Sequence, residues 1–228
     1  MQPILLPSMM CIDFLNFSEQ LRTIDKRAAI LHLDIMDGMF AKNITVTPDL
    51  VRAFKKITAK PMEAHLMTQE PERWIDTFAE IGVAEITLHR ETIDTNAFRL
   101  IDRIRSLGIS PGIALCPATS VAQCEDLLPV IDHLLIMSVD IGYAGQPFIP
   151  QTLAKVERAR NIRGAHGYSY LIQVDGGCGR NTFESLRRAG TDRFVVGNAL
   201  FGKKIPLDIA FDEINAEFLS ATGESTGA

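Results

Sequence analysis

The feature that most constrains this chain is a repeated alternation of two kinds of segment. Short runs rich in apolar and β-branched residues occupy 4–8, 30–35, 61–67, 84–88, 109–114, 132–137, 169–174 and 192–196. Each has the length of a buried strand. Between them, helical spacing fits 17–27, 48–57, 72–81, 97–107, 121–128, 151–163, 180–188 and 206–219. In 97–107, for example, Phe98, Ile101 and Ile104 recur every third residue, with Arg99, Asp102 and Arg103 left for water. Strand–helix pairs repeating roughly every 25 residues predict parallel strands joined by right-handed crossovers. Eight such pairs can close into a (β/α)8 TIM barrel. An open doubly wound sheet is the rival, but its phosphate loop should follow the first strand. Here Pro7-Ser8-Met9 follows that strand, and the glycine-rich loops come late.

Composition narrows the function classes. At 228 residues and 46% hydrophobic, the chain suits one barrel domain over 1–228, with the small, polar stretch 223–228 expected to fray. The net charge of −5 argues against nucleic acid or an anionic membrane as partner, so an anionic ligand must be held by local donors. No run approaches the roughly 18 apolar residues of a spanning helix. Met1-Gln2-Pro3 lacks the start of a signal peptide, and Cys11, Cys116, Cys124 and Cys178 form no CxxC pair. A cytoplasmic protein with reduced thiols is expected.

Active sites of such barrels lie at the C-terminal ends of the strands. Those positions carry Ser8, His32 and Asp34, His65, the loop Gly142-Tyr143-Ala144-Gly145, Asp175-Gly176-Gly177, and Gly197-Asn198. His32 and Asp34 are two apart on a strand and so face the same side. Alone, the pair reads more readily as a buried hydrogen bond. With His65 and Asp175 converging on the same mouth, two imidazoles and two carboxylates suit Zn²⁺, Fe²⁺, Mn²⁺ or Co²⁺. Burying both carboxylates without a cation would be costly. The glycines at 142, 145, 176, 177 and 197 let backbone N–H groups approach an anion, and barrel enzymes often hold phosphate on the loops after strands 7 and 8. Met36, Met67 and Met137, also near strand ends, read as core filler or as an apolar lining that keeps water from a reactive intermediate. His89 and Glu91 read as rim groups, and His133 and His166 as surface positions.

These residues resemble the ribulose-phosphate 3-epimerase family from Pro7-Ser8 to Leu200-Phe201-Gly202. The matching motifs are His32-Leu33-Asp34-Ile35-Met36-Asp37-Gly38, His65-Leu66-Met67, the Gly142–Gln146 loop, Val174-Asp175-Gly176-Gly177 and Val196-Gly197. The resemblance implies a barrel of the ribulose-phosphate-binding type and a homo-oligomer. It implies one divalent metal ion on His32, Asp34, His65 and Asp175, with Asp34 and Asp175 as the acid/base pair. Ser8 and His65 would touch substrate, and the glycine loops would hold its phosphate. Pro7-Ser8-Met9-Met10-Cys11, Ile86-Thr87-Leu88-His89 and Ala144-Gly145-Gln146-Pro147-Phe148 look most like the allulose-6-phosphate 3-epimerase branch. The departures are Ile141 where most members have proline, Ala144 for glycine, Asn198 for serine or threonine, and Arg90 where that branch has proline.

The expected reaction is therefore metal-dependent 3-epimerisation of D-allulose 6-phosphate to D-fructose 6-phosphate through an enediolate, the two aspartates working on opposite faces. The alternative is D-ribulose 5-phosphate to D-xylulose 5-phosphate by the same chemistry. A related decarboxylase would want a lysine where Leu33 stands, and a Schiff-base aldolase a strand-end lysine. A non-catalytic sugar-phosphate-binding barrel is the remaining reading from another class.

Overall fold

The computed structural model describes residues 2–223. Its strands are β1 (Ile4–Pro7), β2 (Leu31–Met36), β3 (Met62–Met67), β4 (Glu85–His89), β5 (Ser110–Leu115), β6 (His133–Met137), β7 (Leu171–Asp175) and β8 (Arg193–Val196). All pair in parallel, in the order β1-β8-β7-β6-β5-β4-β3-β2. A parallel bridge between Ser8 and His32 joins β1 to β2 and brings the sheet round on itself. The result is the expected (β/α)8 barrel. The stretch read as a frayed tail lies outside the described residues except for Gly223, whose left-handed backbone caps the last helix.

The helices are α1 (Phe17–Asp25), α2 (Pro48–Lys55), α3 (Glu72–Ile81), α4 (Ala97–Ser106), α5 (Thr152–His166), α6 (Phe183–Ala189), the short α7 (Asn198–Phe201) and α8 (Leu207–Thr222). Local chemistry sets their ends. Thr47 caps α2 by accepting the Leu50 N–H, with Pro48 in the first turn, and Gly82 stops α3 in a left-handed conformation (φ 83°). The expected helix over 121–128 is instead a 3₁₀ segment, Val121–Val130. Pro129 inside it cannot donate to an α-helical partner, and buried Val121, Cys124 and Leu127 recur every third residue, the 3₁₀ repeat. In α4 the buried face is Ala97, Leu100, Ile101 and Ile104, while Phe98 is 53% exposed. The true period of 3.6 carries position 98 off the seam that a spacing of three had suggested.

The inward-facing positions matter most for function. Outside the strands, aliphatic and aromatic side chains form a continuous core with the helices. Inside the barrel, below its mouth, lie Glu63, Thr87, His133 and Gln173, all buried and polar, with Glu85 and Arg193 beneath them. Barrel interiors are usually filled by branched apolar residues. This one holds a hydrogen-bonded polar layer directly under the site. His133 belongs to that layer: it is 1% exposed, not a surface residue. Gly112 on the neighbouring strand makes its room, since a Cβ there would sit 2.0 Å from His133 Nε2.

Candidate active site

β2 carries His32 and Asp34 inward, β3 carries His65, and β7 ends on Asp175. One ligand atom from each of the four falls within 4.8 Å of all the others. His32 Nε2 lies 3.3 Å from Asp34 Oδ1 and 3.6 Å from Asp175 Oδ2. His65 Nδ1 lies 3.5 Å and 3.9 Å from the same two oxygens. Both ring nitrogens are buried with no hydrogen-bond partner. Buried polar atoms are normally satisfied, so two orphaned nitrogens aimed at two carboxylate oxygens mark a place for a cation.

The outer nitrogens explain the orientation. His32 Nδ1 is 2.8 Å from Glu63 Oε2, an acceptor only, so the proton belongs on Nδ1 and Nε2 presents its lone pair to the site. Burial opposes charge on His32, but Glu63 and Asp34 outweigh it and hold the His32 pKa well above the ordinary value. Positive charge is favoured at this point, and a divalent cation on Nε2 would supply it. Burial also raises the Asp34 carboxyl pKa, yet His32 and His65 bring it below the usual carboxylate range. Asp175 moves the other way, raised by burial and by the charge of Asp34.

Above the four residues a cavity of about 310 Å³ opens at the strand ends. Asp34 and Asp175 reach its wall, while His32 and His65 stay fully buried behind them and do not line it. Ser8 lines it too, its hydroxyl donating to Asp34 Oδ2 at 2.6 Å. Met36, Met67 and Met137 line it. Gly142, Tyr143, Ala144, Gly145, Gly176, Gly177, Gly197 and Asn198 line it as well. Gly176 and Gly177 cannot be replaced without conflict: a Cβ would lie 2.5 Å from Val139 Cγ2 and 2.9 Å from Phe148 Cβ, and both backbones are left-handed (φ 109° and 64°).

The departures from the family pattern resolve differently. Ile141 packs against two apolar clusters, one holding Met36 and Met67 and the other Met137. Asn198 lies beside Gly145, within van der Waals reach of a Cβ there. Arg90 turns away, donating to the Gln123 carbonyl at 2.7 Å and to Asp94. His89 is not a rim group, while Glu91 is half-buried in the turn after β4 and does not line the cavity. His89 is fully buried at the end of β4 and contacts His65, and burial lowers its pKa to about 4 against the opposing pull of Glu91. Arg180, on the cavity wall beside the β7 glycines, escaped the sequence reading because it lies five residues past the strand end.

The ribulose-phosphate 3-epimerase family model matches residues 4–201. The chain belongs to the ribulose-phosphate 3-epimerase family. Curated relatives named ribulose-phosphate 3-epimerase include that of Mycobacterium tuberculosis, 37% identical over 204 residues, covering 90% of this chain and 88% of the relative. The Synechocystis enzyme of that name is 38% identical over 197 residues, 86% of each chain. Membership makes the chain an isomerase, a carbohydrate-phosphate epimerase. Among solved structures, a 3-hexulose-6-phosphate synthase superposes with a TM-score of 0.71 at 16% identity, covering 94% of this chain and 99% of that one. KGPDC from Streptococcus mutans gives a TM-score of 0.69 at 15% identity, covering 95% of this chain and 99% of that one. At that identity these two show the shared barrel alone.

Proposed function

We propose that this epimerase interconverts D-ribulose 5-phosphate and D-xylulose 5-phosphate, with His32, Asp34, His65 and Asp175 holding one divalent metal ion. The observation that carries the reading is the convergence of two buried, unpartnered imidazole nitrogens on two carboxylates that wall one cavity. The five-carbon substrate is favoured over D-allulose 6-phosphate because the curated relatives at 37–38% identity bear the ribulose name. The motifs that pointed to the six-carbon branch have no counterpart in those names.

A bound divalent cation would act as a Lewis acid toward negative charge developing on the sugar oxygens. The protein's own groups move the proton. Asp34 and Asp175 come from β2 and β7, with β1 and β8 between them. Asp34 Oδ1 and Asp175 Oδ2 face the histidines, which leaves Asp34 Oδ2 and Asp175 Oδ1 for substrate. Ser8 steadies the first of these. Asp34 and Asp175 are the acid/base pair: one carboxylate takes the C3 proton from one face while the other returns a proton to the opposite face. The roles exchange in the reverse direction. The methionines exclude water, and the glycine loops with Asn198 hold the phosphate through backbone and amide donors.

Asp34→Asn and Asp175→Asn should each lower kcat by at least about 10²-fold with an unchanged circular dichroism spectrum. Near-normal turnover in either variant would sink the acid/base assignment. Solvent deuterium should enter at C3 in the wild type, which a non-catalytic binder would not allow. A panel of D-ribulose 5-phosphate and D-allulose 6-phosphate, run with metal-replete enzyme, should show the higher kcat/KM on the pentulose. A hexulose preference would restore the six-carbon reading.

A further inference from the structure

His65 has a second ring nitrogen, and its surroundings commit it. Nε2 of His65 lies 2.9 Å from Nε2 of His89, the rings meeting edge to edge with centroids 5.0 Å apart and planes 24° apart, and both residues are fully buried. Two neutral imidazoles facing each other in this way share one proton, and its position depends on what holds the far side of His89. There Glu91 Oε2 stands 3.2 Å from His89 Nδ1. A carboxylate only accepts, which places the His89 proton on Nδ1 and leaves its Nε2 as a bare lone pair. Cys116 Sγ, 3.6 Å from the same Nδ1, is a weak partner that does not displace a charge-assisted bond. His65 must then carry its proton on Nε2, and its Nδ1 is left bare toward Asp34 and Asp175.

Glu91 is itself fixed. Its Oε1 accepts the Cys116 backbone N–H at 2.8 Å and the Thr119 hydroxyl. Neither His89 nor Glu91 lines the cavity. We propose that Glu91 and His89 are positioning residues, a relay that sets the tautomer of His65 and so keeps its Nδ1 available to a divalent cation. This rests on the metal-site reading above. The His32 arm needs one carboxylate, Glu63, to do the same; the His65 arm needs two residues because the buried His89 ring stands between His65 and its carboxylate.

Glu91→Gln tests the relay without removing an atom. Two donors face the Oε1 position, so the amide oxygen settles there and the amide NH₂ turns toward His89. His89 must then accept on Nδ1 and donate from Nε2, which drives the His65 proton onto Nδ1, into the site. Two readouts are taken: the His65 tautomer by long-range ¹H–¹⁵N correlation in metal-free protein, and Zn²⁺ and Mn²⁺ affinity by chelator competition. The first is read near pH 8.5, about two units above an ordinary histidine pKa. The wild type should show an Nε2–H His65, and Glu91→Gln an Nδ1–H His65 with affinity about 10- to 100-fold weaker. A purely structural Glu91 would lower Tm and leave the tautomer alone. An unchanged His65 tautomer in Glu91→Gln overturns the relay whatever the affinity does, as does an Nδ1–H His65 in the wild type. Should the variant not fold, the wild-type tautomer decides. Wild-type protein that binds neither ion would instead overturn the metal reading, while the tautomers still decide the relay.

Discussion

Glu63 Oε2 accepts the Nδ1–H of His32 across 2.8 Å, with both side chains wholly buried beneath the mouth of the barrel. Gln173 Nε2 donates to the same oxygen at 2.7 Å, and the Thr87 hydroxyl donates to Oε1 at 2.5 Å. Burial alone would raise the Glu63 pKa, but His32 and His133 hold it well below the usual carboxylate value. Glu63 is therefore an ionised hub ringed by donors. Glu63→Gln turns one acceptor into a donor that faces another donor. Urea unfolding should show a loss of about 3 kcal/mol, the cost of breaking a buried charged network. A change under about 0.5 kcal/mol would mean that the layer beneath the site contributes little to the fold.

Asp37 links two loops at the mouth. Its Oδ1 accepts the Met39 and Phe40 N–H groups at 2.8 and 3.1 Å, and its Oδ2 the Gln69 N–H at 2.7 Å. Burial opposes its charge, but the backbone hydrogen bonds together outweigh it, so the Asp37 pKa is lowered. A carboxyl with a depressed folded-state pKa stabilises the protein above its unfolded value of about 3.9, and that contribution is lost as pH falls further. Asp37→Asn should cost about 1 kcal/mol at neutral pH, because its amide would confront the Gln69 N–H. The difference in Tm between variant and wild type should shrink below about pH 4. A difference constant from pH 7 to pH 3 would contradict the charge-based account.

The barrel was legible because its signal is periodic. Strand ends fall within two residues of the expected bounds, since a buried parallel strand shows as a continuous apolar run. His32, Asp34, His65 and Asp175 were legible because polar residues at the ends of such runs need a reason to be there. The layer beneath was in the sequence as well. Glu63, Thr87 and Gln173 each stand two residues before His65, His89 and Asp175, on the same inward face, but each looks like an accidental polar residue when its strand is read alone. His133 was misplaced because the space it fills depends on Gly112 of another strand, a pairing that only the barrel register reveals. The relay through His89 to Glu91 depends in turn on a contact across β3 and β4.

Arg180 is a cation that composition gave no reason to expect beside the glycine-lined wall of the cavity. It lines the cavity with Gly176, Gly177 and Asn198, is exposed, and has no ion-pair partner among the described residues. A guanidinium there would add charge-assisted bonding to a phosphate otherwise held by neutral donors. Arg180→Gln should raise KM for the sugar phosphate about 10-fold with kcat nearly unchanged, the signature of lost uniform binding. The KM of the wild type should also rise more steeply with salt than that of the variant. Equal KM values for the two proteins would remove Arg180 from the site.

Gly112 and His133 share one volume inside the barrel. A Cβ on residue 112 would lie 2.0 Å from His133 Nε2 and 2.5 Å from the two adjacent ring carbons, so Gly112→Ala must displace the imidazole. That ring is 2.6 Å from the Thr87 hydroxyl, which donates its own proton to Glu63, so the disturbance reaches the carboxylate under His32. Gly112→Ala should cost about 2–3 kcal/mol by overpacking. His133→Ala should cost a similar amount by leaving a cavity and a broken hydrogen bond. In the double variant the new methyl occupies part of the space the imidazole vacates. The combined loss should fall short of the sum by about 1 kcal/mol or more, as expected for residues in contact. Simple additivity in urea unfolding would show that the two positions do not compete for the same space.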